Sequence, residues 1–198
     1  FSDFVARSQS DLGFAHDGDA DRIVVVDGDG STVHEDTVLA IFAAHYTRAS
    51  TAADPVVLTT PNASGRIDEQ VTDAGGRVER VRLGGLHEGM ARVRDGGDRD
   101  TELVFAAEPW KHIHPVHGGW IDGVASAAVL ARLVAPQSLA RRPAAITGRP
   151  YRKDSVHFSD APQAAAMATP AGPTPRRLPP PGGAPAHRGR LPLPSHSA

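Results

Sequence analysis

The 198-residue chain contains no cysteine, so disulfides and thiolate metal sites are excluded, and a reducing cytosol is permitted. Aromatics are scarce, at 5%, although 40% apolar residues still suffice for a core. Neither sign of charge dominates: 21 basic and 23 acidic residues leave a net charge of −2. That balance gives no footprint for nucleic acid and no polybasic patch for a membrane. No apolar run approaches the roughly 20 residues that span a bilayer, and no signal peptide is visible. The chain starts with Phe1 rather than Met, which suggests a start inside a longer protein. A cytoplasmic location is the resulting expectation.

Against this plain background, residues 16–22 stand out: His-Asp-Gly-Asp-Ala-Asp-Arg. Asp17, Asp19 and Asp21 alternate with small residues, and Ile23–Val26 follow as a β-branched run that reads as a buried strand. Three carboxylates so close repel one another unless a cation holds them. Oxygen-only ligands select a hard ion, Mg²⁺ before Ca²⁺ or Mn²⁺. An ion-free acidic turn is the bland alternative, because Asp-Gly pairs form turns readily. An EF-hand loop is excluded, since its sixth position should be Gly and is Arg22, and its twelfth should be Glu and is Gly28. Arg22 points to a second anion, because its planar fork matches phosphate. A carboxylate cage beside an arginine is the equipment of phosphoryl transfer.

The run Asp-Gly-Asp-Ala-Asp-Arg resembles the metal loop of the α-D-phosphohexomutases: phosphoglucomutase, phosphomannomutase and phosphoglucosamine mutase. The resemblance runs from about Phe1 to about Met167. It implies that Asp17, Asp19 and Asp21 hold Mg²⁺ with the phosphate of a phosphoserine as fourth ligand, and that Arg22 stabilises phosphate. The implied substrate is a phosphorylated hexose (glucose, mannose or glucosamine phosphate).

The rest of the chain reads as alternating elements. Helical patterns fall at 3–9, 35–48, 64–74, 86–94 and 123–134. Strands fall at 12–15, 23–27, 55–60, 77–83 and 102–106, and an Asp-Gly-Asp-Gly turn at 27–30 leads to a return strand at 31–34. This alternation predicts an α/β fold, and the resemblance specifies a three-layer-type mixed sheet with helices, as in the repeated mutase domains. It also divides the chain: 1–34 as the end of a second mutase domain, 35–142 as a third, and 143–161 as a connection toward a fourth. Residues 162–198 carry ten prolines, so a disordered tail is expected, and a frame-shifted end is the hypothesis for it.

The loop 107–122, Ala-Glu-Pro-Trp-Lys-His-Ile-His-Pro-Val-His-Gly-Gly-Trp-Ile-Asp, follows a strand and precedes a helix, where ligand loops of α/β folds lie. Glu108 matches the glutamate that binds sugar hydroxyls in the mutases, although Ala107 replaces a common Gly, and Trp110-Lys111 stand where Ser is usual. Lys111 and His112 are read as phosphate or sugar contacts, with His114 and His117 as solvated loop residues. A zinc site at these histidines is disfavoured, for want of a Cys or acidic partner in a recognised pattern. His87, after Gly84-Gly85, either faces the sugar or serves as a capping or surface residue. Trp110 and Trp120 are read as anchoring the loop in the core, with stacking on a sugar face as the alternative.

The family mechanism also needs a Ser-His-Asn type loop and an Arg-x-Ser-Gly/Asn-Thr type phosphate loop. Neither occurs; Ser195-His196-Ser197 lies in the Pro-rich tail. The resemblance therefore implies an intramolecular phosphotransferase in a longer enzyme, interconverting hexose 1-phosphate and hexose 6-phosphate through a bisphosphate intermediate. The isolated chain is expected to be inactive. The alternatives are a non-catalytic Mg²⁺- and phosphosugar-binding remnant, a pseudogene product, or an interaction protein using its tail.

Overall fold

The structure, a computed structural model, describes residues 1–134. The expectations for 143–161 and 162–198, and for the last residues of the 35–142 unit, lie outside the described residues.

The chain enters through a short helix, α1 (Ser2–Arg7), and then a two-stranded antiparallel ribbon, β1 (Leu12–His16) and β2 (Ile23–Asp27). Their pairing sets Leu12 opposite Asp27 and His16 opposite Ile23, so the acidic run forms the tip between them. After α2 (Glu35–Ala49) come β3 (Asp54–Thr59), α3 (Arg66–Asp73), β4 (Arg77–Arg80), α4 (Leu86–Gly96), β5 (Thr101–Glu108), β6 (Lys111–Ile113) and α5 (Gly123–Val134). A second sheet has the order β4-β3-β5-β6. β3 runs parallel to β4 and β5, whereas β6 folds back antiparallel on β5.

The period-2 alternation of the central strand explains the layers. Val57 turns to a cluster built with Leu39, Phe42 and Ala43 of α2, Ile67 and Val71 of α3, and Leu130 of α5. Val56 and Leu58 turn the other way, to Leu86 and Val93 of α4. Helices therefore cover both faces of a mixed sheet, as the expected three-layer fold requires. Gly75 closes α3 with φ +90°, a conformation that side chains with a Cβ rarely adopt. Among the described residues no helix is long and apolar enough to cross a membrane.

Two elements differ from expectation. The return strand at 31–34 is reduced to a single bridge, Val26 with Thr32, although Val33 still donates to the Val25 carbonyl. Conversely, the loop after β5 contains β6, which the proline-flanked sequence does not announce.

Candidate functional site

The acidic tip is a tight turn. Ala20 donates to the Asp17 carbonyl at 3.2 Å and sits at φ +58°, which turns the backbone so that three side chains converge. Asp17, Asp19 and Asp21 can each offer a ligand oxygen within 4.8 Å of the others. Arg22 braces the cage. Its backbone N–H donates to Asp17 Oδ1 at 3.1 Å and its Nε–H to Oδ2 at 2.5 Å, and its Nε lies 3.6 Å from Asp21 Oδ1. The Arg22 backbone amide above all holds the Asp17 carboxyl below its ordinary range; burial opposes it, and the Arg22 guanidinium adds to the lowering.

A cation from far along the chain joins them. Lys111 donates from Nζ to Asp21 Oδ2 at 2.6 Å across 90 residues of sequence. The backbones meet as well: Arg22 bridges Lys111, and the Ile23 N–H donates to the Trp110 carbonyl at 3.1 Å. Trp110 adopts φ +65° to make the tight β5–β6 return. Three oxygen donors, with two cations already drawn to them, fit a hard divalent ion such as Mg²⁺.

Glu108 is the register partner of Lys111 across the β5–β6 turn, so the two lie on one ribbon. Its Oε1 accepts from the Gly84 N–H at 2.6 Å, and Gly84 itself has φ +72°. Glu108 thus reaches the turn that precedes α4, in whose first turn His87 lies exposed. The start of α5 closes the acidic loop from another side. Gly123 donates to the Ala20 carbonyl at 3.0 Å, and a Cβ there would lie 2.6 Å from that oxygen and 2.9 Å from His16 Nδ1. Only glycine admits so close an approach.

Known proteins resemble this arrangement and its sequence. The phosphopentomutase of Thermococcus kodakarensis is 44% identical over 124 residues, covering 63% of this chain and 25% of that protein. The phosphoglucosamine mutase of Saccharopolyspora erythraea is 31% identical over 159 residues, covering 79% of this chain and 34% of its own length. In fold, the chain matches a phosphoglucomutase/phosphomannomutase family protein from Burkholderia thailandensis with a TM-score of 0.58 at 23% identity, over 74% of this chain and 31% of the other. The chain belongs to the phosphohexomutase family. No protein-family model matches it. It spans about a quarter to a third of the length of the curated relatives it matches.

Several expectations built on the phosphohexomutase resemblance need correction. His112 was expected at the sugar, but its side chain is 1% exposed and packs edge-on to Phe42 at 5.2 Å between centroids. β6 pairing turns it inward, where its Nδ1 meets Ser126 Oγ at 3.0 Å. His114, expected in solvent, is equally buried, with Nε2 2.8 Å from the same hydroxyl and Nδ1 2.9 Å from Tyr46 Oη. Burial, followed by the neighbouring His114, drives the His112 pKa down to about 3. Burial also lowers His114 to about 4, with His117 adding to the shift and Asp122 opposing it. Only His117 is exposed, as expected. The tryptophans are reversed too: Trp110 is 36% and Trp120 59% exposed, because the β5–β6 return leaves Trp110 at the surface, and Trp120 instead donates to Asp122 Oδ2 at 3.3 Å.

Of the expected site residues, Asp17, Asp19, Asp21, Arg22 and Lys111 come together, and Glu108 shares the ribbon of Lys111. Ser126, Tyr46 and Ala20 were missed. A lone serine in an Ala-rich helix and an alanine between aspartates carry no signal of their own, although Ala20's place in an Asp-x-Asp-x-Asp turn was a usable hint.

Proposed function

We propose that the chain carries the metal loop and the sugar-binding loop of a phosphosugar mutase, an intramolecular phosphotransferase that works through a phosphoserine and a bisphosphate intermediate. The observation that supports this best is the Lys111–Asp21 contact, which joins the acidic cage to the ribbon bearing Glu108. In this reading residues 1–34 end one mutase domain and 35–142 form most of the next. Asp17, Asp19 and Asp21 hold Mg²⁺, which neutralises charge on the phosphoryl group in transit. Arg22, 58% exposed with Nε committed to Asp17, presents the outer edge of its fork to a phosphate. Glu108 offers its second oxygen to sugar hydroxyls while Gly84 fixes the first. His87, exposed at the start of α4, is a further sugar contact. A cytoplasmic setting suits a chain without cysteine.

A hexose phosphate is the first substrate reading. A pentose phosphate is the second, favoured by the 44% identity to a protein named phosphopentomutase, against 31% for a phosphoglucosamine mutase. Calorimetry of the 198-residue chain with glucosamine 6-phosphate, glucose 1-phosphate and ribose 5-phosphate, each with and without Mg²⁺, tests the proposal. Mg²⁺-dependent binding is expected, with the tightest ligand identifying the sugar. No turnover is expected, since a Ser-His-Asn type loop occurs nowhere in the sequence. Failure of all three sugars to bind in the presence of Mg²⁺ would overturn the reading.

A further inference from the structure

We infer that Lys111 is a built-in stand-in cation that Mg²⁺ must displace, so that metal entry releases an ammonium group toward the substrate. This rests on the reading of Asp17, Asp19 and Asp21 as the metal cage. Both Asp21 oxygens already face cations: Oδ2 takes the Lys111 ammonium at 2.6 Å, and Oδ1 lies 3.6 Å from Arg22 Nε. Both Asp17 oxygens accept from Arg22. A divalent ion entering the trio therefore competes with these partners for the carboxylates of Asp17 and Asp21.

The two cations are not equally free to leave. Arg22 adjoins Asp21 in sequence and holds Asp17 through its backbone as well as its side chain, so it stays near the cage in any rotamer. Lys111 comes from β6 on a flexible four-carbon stem, and a part-exposed Lys–Asp pair is weak. Its Cα is fixed by the bridge to Arg22, so only the ammonium moves. Directly opposite residues on an antiparallel pair share a face, which puts Glu108 beside the released group. Exchange of a monovalent for a divalent cation thus moves positive charge to the place where a phosphosugar would lie, and phosphosugar binding follows metal binding.

Two measurements test this on the full chain. In Mg²⁺ calorimetry, Lys111→Met should bind the metal about tenfold more tightly than the wild type, because a competing and repelling charge is gone. In the wild type, acetic anhydride labelling read by mass spectrometry needs no mutant to fold. Lys111 and Lys153 are the two lysines of the chain, and saturating Mg²⁺ should raise the Lys111 to Lys153 labelling ratio severalfold. An unchanged affinity in Lys111→Met, or a ratio that ignores Mg²⁺, overturns the inference while leaving the metal cage intact. A wild-type chain that takes up no Mg²⁺ sinks the cage reading and this inference together.

Discussion

Gly84 donates its backbone N–H to Oε1 of Glu108 at 2.6 Å, so one carboxylate at the end of β5 fixes the turn that leads into α4. A carboxylate has lone pairs for several donors, and this contact leaves the second oxygen for a ligand. Glu108→Gln keeps an acceptor for Gly84 and should unfold within about 0.5 kcal/mol of the wild type in urea. It should nonetheless lose about tenfold in phosphosugar affinity, as a charge-assisted bond becomes a neutral one. Glu108→Ala should lose both, with a stability cost of about 0.5–1.5 kcal/mol. Equal sugar affinity in Glu108→Gln and wild type would remove Glu108 from the site.

Ser126 organises the buried pair of histidines behind the loop. Its hydroxyl proton goes to the Asp122 carbonyl at 2.7 Å, so its oxygen accepts from His112 Nδ1–H and His114 Nε2–H. That balance assigns the tautomers, with His114 Nδ1 accepting from the Tyr46 hydroxyl. Ser126→Ala strands two buried N–H donors and should cost about 2–4 kcal/mol by urea denaturation. The same network sets a pH dependence. Both folded histidines titrate below the ordinary 6.5, at about 3 and about 4, so the unfolded chain binds more protons between those limits. Stability is therefore full above pH 6.5 and falls as the pH drops toward 4, by about 2–4 kcal/mol at pH 5. A urea midpoint that stays level from pH 7.5 to pH 5 would mean that these rings are not buried neutral.

What the sequence made legible follows the strength of local signals. The β-branched run Ile23–Val26 and the helical period of 35–48 specify β2 and α2 because a buried strand and an amphipathic helix are written in adjacent residues. Lys111–Ile113 has no such signature; it is a strand because β5 offers a free edge, which is a tertiary fact. Histidine carries no burial signal either, and His112 and His114 point inward only because Ser126 and Tyr46 wait there, 12 to 68 residues away. That the three aspartates crowd together was readable from spacing alone. Their tie to Lys111 was not, since no local rule links residues 90 apart.

If the acidic run is the metal cage proposed above, metal binding separates from folding. Asp17 serves Arg22 with both oxygens, whereas Asp19 is exposed at the tip. Replacing either by Asn removes one of three anionic ligands, so both variants should bind Mg²⁺ at least about tenfold more weakly by calorimetry. In chelator, where no metal contributes, they should part. Asp19→Asn relieves like-charge repulsion and should melt at or slightly above the wild-type temperature. Asp17→Asn turns an amide toward the Arg22 donors and should melt lower. The gap depends on pH in a definite direction: Asp17 is held below the ordinary 3.8 by Arg22, so its contribution exists above that value and disappears as the pH falls through the depressed one. The wild type and Asp17→Asn should therefore converge in acid and differ at neutral pH. If instead Asp19→Asn binds Mg²⁺ as the wild type does, the ion is not held by this trio, and the acidic run is a braced turn whose charges Arg22 and Lys111 already satisfy.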